Sequence, residues 1–399
     1  MDIVERFLKY VSYETTSDES NINNNEASSK GQYKLAEELA KELKELGGED
    51  IYINKFATVH AFFKGTINRD SIFLNSHMDT SPACSGKNIK PRIIDKYDGK
   101  DIKLNDNTIM EVKEFPSLKR SIGHSLIVTD GNTLLGGDDK AGIAIIMDMI
   151  EYFVTNNIPH APIEVLFSSD EEIGQGAYHI DVDKLHSKFG FTIDGGDIDY
   201  VNIENFNAAS MKVEINGRSI HPGSAKDKMI NALNVGIDFH NGLPRYLRPE
   251  HTCSREGFYH LCDMSGNEEK ANMAYIIREH DINKLQNMID YAKLDAQRIN
   301  DSFNKEVIKL DINISYKNMY DKLKDHPEII KLIDNIYKKN NQTYEFEPIR
   351  GGTDGATLTQ KGYPCPNLGT GGYNFHGRFE YVDIDQMKIM SNMLKDLFR

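Results

Sequence analysis

The stretch PIEVLFSSDEEIGQGA, residues 162–177, joins an apolar run to three consecutive carboxylates. The run at 162–167 is typical of a buried β-strand, and Asp170, Glu171 and Glu172 follow it closely. Adjacent like charges repel each other, so this arrangement requires a compensating interaction. An acidic turn in contact with water is one interpretation and a bound cation is another. The rest of the sequence distinguishes between them.

The length and composition indicate a globular protein with more than one domain. The chain has 399 residues, which exceeds the size at which a single hydrophobic core usually stops growing. Hydrophobic residues make up 39% and charged residues 27% of the chain, as in ordinary globular domains. The net charge of −14 disfavours nucleic acid and anionic membranes as partners, because both are bound through basic surfaces.

The sequence predicts a cytoplasmic protein. The start, MDIVERFLKYV, lacks the basic and apolar regions of an export signal. No run approaches the length of about 18 apolar residues that a transmembrane helix requires. The cysteines show no CxxC spacing and are expected to be free thiols in a reducing compartment. They are Cys84, Cys253, Cys262 and Cys365.

Strands and helices alternate along most of the chain. Nearly continuous apolar runs predict strands, and longer runs with helical spacing predict helices at 29–46, 138–157 and 383–398. The stretch 84–133 is polar and rich in turn residues. This alternation predicts an α/β fold with a mainly parallel twisted sheet flanked by helices.

A different order of elements follows residue 206. Strand-like and helix-like segments occur there in the order βαββαβ, which is typical of a ferredoxin-like module with an antiparallel sheet. We therefore predict an α/β domain in two segments, 1–206 and 317–399, interrupted by a smaller inserted domain at 207–316.

Four other short stretches place residues capable of binding a metal just after apolar runs. They are NSHMDT with His77 and Asp79, LLGGDDKAG with Asp138 and Asp139, FTIDGGD with Asp194, and NFHGR with His376. The carboxyl ends of parallel strands converge on one crevice, so we expect these side chains to meet there. Several carboxylates in one crevice require a cation. Histidine and carboxylate ligands without cysteine suit zinc, manganese or cobalt.

The chain resembles the peptidase T family of tripeptide aminopeptidases, within the superfamily of di-zinc metallopeptidases that also holds aminoacylases, desuccinylases and carboxypeptidase G. The resemblance covers essentially the whole chain, including the long segment between the first histidine and aspartate motifs. It implies a zinc-exopeptidase-like catalytic domain with an inserted lid. The motifs that carry it are SHMDT, TLLGGDDKAG, SSDEEIGQGA, TIDGG, IHPGSAK, IIREHD, RGGTDGA and NFHGR.

The resemblance implies two zinc ions per chain, with cobalt or manganese as alternatives. His77 and Asp194 would bind one ion, Glu172 and His376 the other, and Asp138 both. Asp138 is assigned rather than its neighbour because the family's bridging aspartate lies two residues before the lysine. The family also tends to have a cis peptide bond just after that aspartate.

The resemblance also implies the catalytic and substrate-binding residues. Glu171 would be the general base, and Asp79 would accept the second imidazole N–H of His77 and orient the ring. Since consecutive side chains of a tight turn point in different directions, Glu171 and Glu172 can serve different purposes. His221 is the candidate donor to the oxyanion, and Arg278 and Arg350 are candidates to bind a substrate carboxylate. No residue is identified for the free amine.

Other functions fit parts of the same pattern. A dipeptidase or an N-acyl amino acid deacylase would use the same metals on another substrate. A non-catalytic metal-binding protein on the same fold would need a missing ligand or base, and none is missing. The glycine-rich segments complete no nucleotide-binding motif. Exposed strand edges in the inserted domain predict a homodimer.

Overall fold

The computed structural model describes residues 1–22 and 24–399, and the chain forms two compact units. Unit 1 consists of Met1–Ile203, Asp321–Glu347 and Thr353–Arg399, and unit 2 of Glu204–Tyr320 and Pro348–Gly352.

Most helices begin next to a capping residue and end where the apolar spacing stops. Along the chain they are α1 Ile3–Val11, α2 Lys30–Glu45, α3 Gly137–Thr155, α4 Ala232–Gly242, α5 Ile282–Phe303, α6 Tyr320–Leu323, α7 Pro327–Lys339, α8 Asp354–Gln360 and α9 Ile384–Phe398. Side chains of Asn231, Asp281 and Asp383 accept hydrogen bonds from the first turns of α4, α5 and α9, as N-cap residues do. In the part of the chain that is described, no helix has both the length and the apolar character needed to cross a membrane.

The strands are short, and most belong to unit 1. They are β1 Glu49–Ile53, β2 Val59–Phe63, β3 Ile72–His77, β4 Arg92–Ile94, β5 Ile102–Asn105, β6 Thr108–Met110, β7 Leu126–Val128, β8 Ile163–Ser168, β9 Gly190–Gly195, β10 Tyr200–Asn202, β11 Asn207–Asn216, β12 Phe258–Gly266, β13 Lys270–Glu279, β14 Ile308–Tyr316, β15 Glu345–Phe346, β16 Asn367–Gly369, β17 Gly372–Tyr373 and β18 Tyr381–Asp383.

The main sheet of unit 1 has the strand order β1-β2-β8-β3-β9-β16-β10-β15. Its central strands β8, β3, β9 and β16 run parallel, while β1 and β2 add antiparallel pairs at one edge. The predicted α/β fold with a mainly parallel sheet is therefore confirmed. Every residue of β3 and β8 is buried, as expected when helices cover the sheet.

Helix α3 is largely buried within unit 1. It packs against β3 and β9 of the sheet and against α1 and α9, which explains why most of its side chains are apolar. Ile143, Ile146, Ile150 and Phe153 are at most 1% exposed. Burial of each such side chain contributes about 1.5–3 kcal/mol, so α3 holds its first turn firmly at the edge of the sheet.

The stretch 84–133 contains more regular structure than its composition predicts. Strands β4 and β7 join β17 and β18 in a second sheet of order β17-β18-β7-β4, and β5 pairs with β6. A separate hydrophobic cluster that includes Leu104, Met110 and Tyr381 supports this region. The composition of this turn-rich segment does not indicate the strands, because they have only three or four residues each and carry too few side chains for a periodic pattern.

Unit 2 has the order βαββαβ along the chain, formed by β11, α4, β12, β13, α5 and β14. Its sheet has the order β12-β13-β11-β14, and all neighbouring strands are antiparallel. Side chains of α4 and α5, among them Phe239, Leu285 and Ala292, form one core with inward-facing residues of the sheet.

Candidate metal centre

Three of the five candidate ligands come from the ends of neighbouring parallel strands. The expectation was wrong for the other two, because Asp138 lies in the first turn of α3 and His376 follows β17, a strand of the antiparallel second sheet. His77 is the last residue of β3, Asp194 is the last but one of β9, and Glu171 and Glu172 follow the end of β8. Since β8, β3 and β9 are adjacent and parallel, their carboxyl ends lie at one edge of the sheet. These residues, which are far apart in the sequence, therefore lie close together in the structure.

Asp138 lies between two pairs of ligand candidates. Its Oδ1 is 2.8 Å from His77 Nε2, which in turn is 3.5 Å from Asp194 Oδ1. Its Oδ2 is 3.1 Å from His376 Nε2, which is 3.0 Å from Glu172 Oε2. The two oxygens of one carboxylate therefore face one histidine–carboxylate pair each.

The charges of this cluster shift its protonation strongly. Burial raises the pKa of Asp194 to about 7, although His77 opposes the shift. Burial alone would raise the pKa of Asp138, but hydrogen bonds with His376 and His77 hold it below its usual range. Hydrogen bonds of His376 with Asp138 and Glu172 raise the pKa of His376 to about 11. His376 therefore retains a proton, whose positive charge balances the neighbouring carboxylates.

The donor set fits a metal ion. Ligand atoms of His77, Asp138 and Glu172 all lie within 4.8 Å of one another. Glu172 Oε1 is buried and has no hydrogen-bond partner among the described residues, although an unpaired buried oxygen is costly. A cation would satisfy this oxygen and balance the carboxylates. Imidazole and carboxylate donors without a thiolate suit zinc, manganese or cobalt.

Asp139 also approaches His77 and Asp194, but its oxygens are already engaged. Oδ2 accepts a hydrogen bond from the His77 backbone N–H at 3.2 Å, and Oδ1 accepts one from Gly142 N–H at 3.2 Å. The Asp138–Asp139 peptide bond is cis, as the resemblance implied. These contacts favour Asp138 over Asp139 as the bridging residue.

Asp79 connects the two acidic segments. Its Oδ1 accepts a hydrogen bond from Glu171 N–H at 3.0 Å and its Oδ2 accepts one from Glu172 N–H at 3.1 Å. The Nδ1 atom of His77 lies 3.4 Å from Asp79 Oδ1 and 3.2 Å from the Asp79 carbonyl oxygen. One buried carboxylate thus holds the backbone of the acidic turn beside the His77 ring.

Glu171 lies among the charged groups of the cluster. Burial raises its pKa well above the usual value, and the charges of Asp194, Asp354 and Glu172 add to that effect while His77 opposes it. A raised pKa makes a carboxylate a stronger base, which suits a general base that later acts as an acid.

Asp170, to which the resemblance assigns no role, is engaged in several buried hydrogen bonds. It is 1% exposed and lies in the left-handed region with φ 60°. Its carboxylate accepts hydrogen bonds from Ser28 N–H at 2.9 Å, from the Ser28 hydroxyl and from Gln32 Nε2 at 2.7 Å. It therefore fastens the acidic turn to the start of α2. No spacing in the sequence indicates this contact.

Glu380 was also missed, since it belongs to no motif. Its carboxylate accepts backbone N–H bonds from Leu135 at 2.7 Å, Gly136 at 3.0 Å and Asp138 at 3.1 Å, and burial raises its pKa to about 7. The only available signal was its position four residues after His376. Glu380 holds the backbone that leads into the bridging carboxylate.

A cleft of about 550 Å³ opens beside Glu172 and His376. The segment after α1 forms one wall, and its Thr16 makes a parallel bridge to Thr80, three residues after His77. Ser17, Asp18 and Glu19 of this segment line the cleft together with Ser81, Pro82 and Ala83.

The predicted substrate-binding residues belong to unit 2. Arg350 donates to the carbonyl oxygens of Ser254 at 2.6 Å and Glu256 at 3.1 Å. Arg278 donates to the carbonyl oxygen of Ile277 at 3.0 Å. His221 is exposed, and its Nδ1 accepts a hydrogen bond from Gly223 N–H at 3.2 Å. Both arginines are thus partly engaged within unit 2.

The sequence and the fold both match known peptidases. A profile of "Peptidase family M20/M25/M40" matches residues 127–399. Peptidase T of Caldanaerobacter subterraneus is 44% identical over 391 residues, which are 97% of this chain and 95% of the relative. The class is therefore that of a peptidase, a hydrolase of peptide bonds. The chain belongs to peptidase family M20/M25/M40.

Solved structures show the same fold. The crystal structure of an aminopeptidase, PepT, from Bacillus cereus superposes with a TM-score of 0.79 at 20% identity, covering 99% of this chain and 96% of that one. A tripeptidase from Staphylococcus aureus superposes with a TM-score of 0.77 at 19% identity, with the same coverage of 99% and 96%.

Proposed function

We propose that this chain is a zinc-dependent aminopeptidase that releases the N-terminal residue of tripeptides. The observation that carries the proposal is the Asp138 carboxylate, whose two oxygens face His77 and His376 at 2.8 and 3.1 Å. Membership of the peptidase family supports hydrolysis of a peptide bond. The 44% identity to a peptidase T supports tripeptides as the substrates.

The proposed centre holds two metal ions. His77 and Asp194 would hold one, Glu172 and His376 would hold the other, and Asp138 would be a ligand of both. Bound zinc supplies Lewis acidity towards a peptide carbonyl and lowers the pKa of water.

Glu171 is the proposed general base. Its carboxylate accepts a proton from the attacking water and later delivers it to the nitrogen of the leaving amine as the C–N bond breaks. Asp79 keeps the base in place through the backbone N–H of Glu171 and limits rotation of the His77 ring. The raised pKa of Glu171 favours retention of the proton between the two steps.

Three residues of unit 2 are proposed to bind substrate. The Nδ1 atom of His221 accepts a hydrogen bond from Gly223, so the neutral ring carries its proton on Nε2 and can donate to an oxyanion. Arg278 and Arg350 are proposed to bind the substrate carboxylate.

Steady-state assays distinguish the proposed substrate from the alternatives. We expect the zinc-loaded protein to hydrolyse a tripeptide with a higher kcat/KM than a dipeptide or an N-acetyl amino acid. Preference for the dipeptide or the acetylated compound would favour the dipeptidase or deacylase. Hydrolysis of none of them would favour the non-catalytic metal-binding protein.

Glu171→Gln tests the base separately from the metals. We expect kcat to fall by about 10²–10⁴-fold while two zinc ions per chain remain bound. Glu328→Gln, at an exposed position, is the matched control and should keep wild-type turnover. Wild-type turnover in Glu171→Gln would exclude Glu171 as the base.

A cytoplasmic location and a homodimer are further parts of the proposal. β12 and β14 are the outer strands of the sheet in unit 2, and outer strands can pair with those of a second copy. Light scattering should give twice the mass of one chain, and the mass of a monomer would contradict the dimer.

A further inference from the structure

Asp354, in the RGGTDGA motif, has no assigned role beyond the effect of its charge on Glu171. It lies in the first turn of α8 and is 4% exposed. Its carboxylate accepts hydrogen bonds from the Ser168 hydroxyl, from Ala177 N–H and, at 3.4 Å, from Asn75 Nδ2. One buried carboxylate thus contacts three separate segments.

Those segments surround the acidic turn. Ser168 is the last residue of β8, where the loop 169–176 begins, and Ala177 is the first residue after that loop. Asn75 lies in β3, two residues before His77. The loop between the first two contacts carries both Glu171 and Glu172. Asp354 therefore joins the two ends of the loop to each other and to the strand that presents His77.

The approach of the loop to Asp354 is close. A Cβ atom at Gly176 would lie 2.2 Å from Asp354 Oδ1, which is far below a normal contact distance. Only glycine allows the end of the loop to approach the carboxylate in this way. The position of Asp354 is fixed from its own side as well, because the Thr353 side chain accepts a hydrogen bond from Gly355 N–H and caps α8.

We propose that Asp354 is a positioning residue, which holds both ends of the loop 169–176 and so directs Glu171 and Glu172 towards the candidate metal centre. This inference rests on the proposed function for the roles of the two glutamates. The attachment of both loop ends to Asp354, here called the clamp, depends only on the hydrogen bonds at Ser168 and Ala177.

Two substitutions distinguish the effect of the hydrogen bonds of Asp354 from the effect of its negative charge. Asp354→Ala removes all three hydrogen bonds and should lower kcat at saturating zinc by at least ~10-fold, equivalent to about 1.4 kcal/mol, with KM changed much less. Asp354→Asn retains an acceptor for Ala177 N–H. Its amide can donate to Ser168, since the Ser168 hydroxyl can turn towards the carbonyl oxygen of Ser76, 3.4 Å away. The asparagine variant should therefore keep most of the activity.

Thr359→Val is the matched control on the same helix. Thr359 is buried, donates to the Gly355 carbonyl oxygen at 2.7 Å and accepts from Cys365 N–H at 2.9 Å. Its loss should destabilise α8 without releasing the loop. A loss of kcat in this variant equal to that in Asp354→Ala would show a general structural effect and overturn the proposal.

Hydrogen exchange of the metal-free protein tests the clamp without any activity. Amides of residues 169–177 should exchange at least ~10-fold faster in Asp354→Ala than in wild type, and at nearly wild-type rates in Asp354→Asn and Thr359→Val. Unchanged exchange in the alanine variant would refute the clamp, whereas an inactive wild-type protein would refute only the proposed function.

Ser168→Ala keeps the proposal testable if Asp354→Ala does not fold. It removes one of the two end contacts and should raise exchange at the start of the loop and lower kcat severalfold. Wild-type exchange together with wild-type kcat in Ser168→Ala would contradict the proposal. If Asp354→Ala does fold, an equal loss of kcat in Asp354→Asn and in Asp354→Ala would contradict it too.

Discussion

Single carboxylates around the candidate centre act through both of their oxygens. Asp138 faces His77 with one oxygen and His376 with the other. Asp79 accepts one backbone N–H bond on each oxygen, from Glu171 and from Glu172. A carboxylate has this capacity and an amide does not, because one end of an amide is a donor. Substitution by asparagine therefore tests these residues with little change in shape.

Asp79→Asn should weaken zinc binding. The amide nitrogen would face a backbone N–H of Glu171 or Glu172, so one of the two bonds is lost and the acidic turn shifts. Loss of such an orienting residue typically lowers metal affinity or activity by about 10–100-fold. Competition with a chelator of known affinity would measure this change. Asp183→Asn, at an exposed site, is the control and should bind zinc as the wild type does. Wild-type zinc affinity in Asp79→Asn would show that Asp79 has no orienting role.

Asp170→Asn should lower the free energy of unfolding by about 1–3 kcal/mol, because it leaves donors of Ser28 and Gln32 without an ionised acceptor. Asparagine tolerates the left-handed backbone found at this position, so the change isolates the hydrogen bonds. Urea unfolding would measure the difference. Asp106→Asn, whose side chain is 92% exposed, should change stability by no more than about 0.5 kcal/mol, and an equal effect at both sites would contradict the account.

At the scale of elements, the alternation of apolar runs was sufficient to predict the helices and the mainly parallel sheet. The short strands within 84–133 could not be predicted, since β4 and β7 have only three residues each. The structure brings together the candidate ligands that the strand ends predicted. It also adds Asp170, Glu380 and Asp354, which accept hydrogen bonds from backbone N–H groups. Any residue can supply such a donor, so these contacts leave no pattern in the sequence.

Glu164 joins two strands in the interior of the sheet. It lies on β8, is fully buried, and is 2.8 Å from Nε2 of His60 on β2. Burial alone would raise its pKa, but hydrogen bonds from His60 and from the backbone of His186 and Ser187 outweigh this effect and lower it. The ionised form is therefore the one that the fold stabilises.

Glu164→Gln should destabilise the protein in a pH-dependent manner. Because the folded pKa lies below the unfolded value of about 4.3, the contribution of the carboxylate is complete above that pH. It is lost as the pH falls through the lower folded pKa. Urea unfolding of both proteins should give a difference of about 1–3 kcal/mol at pH 7 that decreases below about pH 4. A difference independent of pH would show that ionisation of Glu164 is irrelevant.

At the scale of the whole molecule, metal binding should be linked to folding stability. A ligand that binds only the folded state at a concentration of 100 times its Kd stabilises that state by about 2.7 kcal/mol. We therefore expect a chelator to lower Tm and added zinc to restore it. Asp138→Ala should lose most of this response, because the residue faces both proposed ions. A wild-type response in that variant would place the metal elsewhere.

The central claim is that Asp138 contributes one oxygen to each of two metal ions. Anomalous diffraction from crystals grown with zinc tests it most directly. The account predicts two peaks per chain, one between His77 and Asp138 and one between His376 and Asp138, each at about 2.0–2.2 Å from its ligand atoms. A single peak would contradict the claim. So would two peaks that lie next to Asp139 and not next to Asp138.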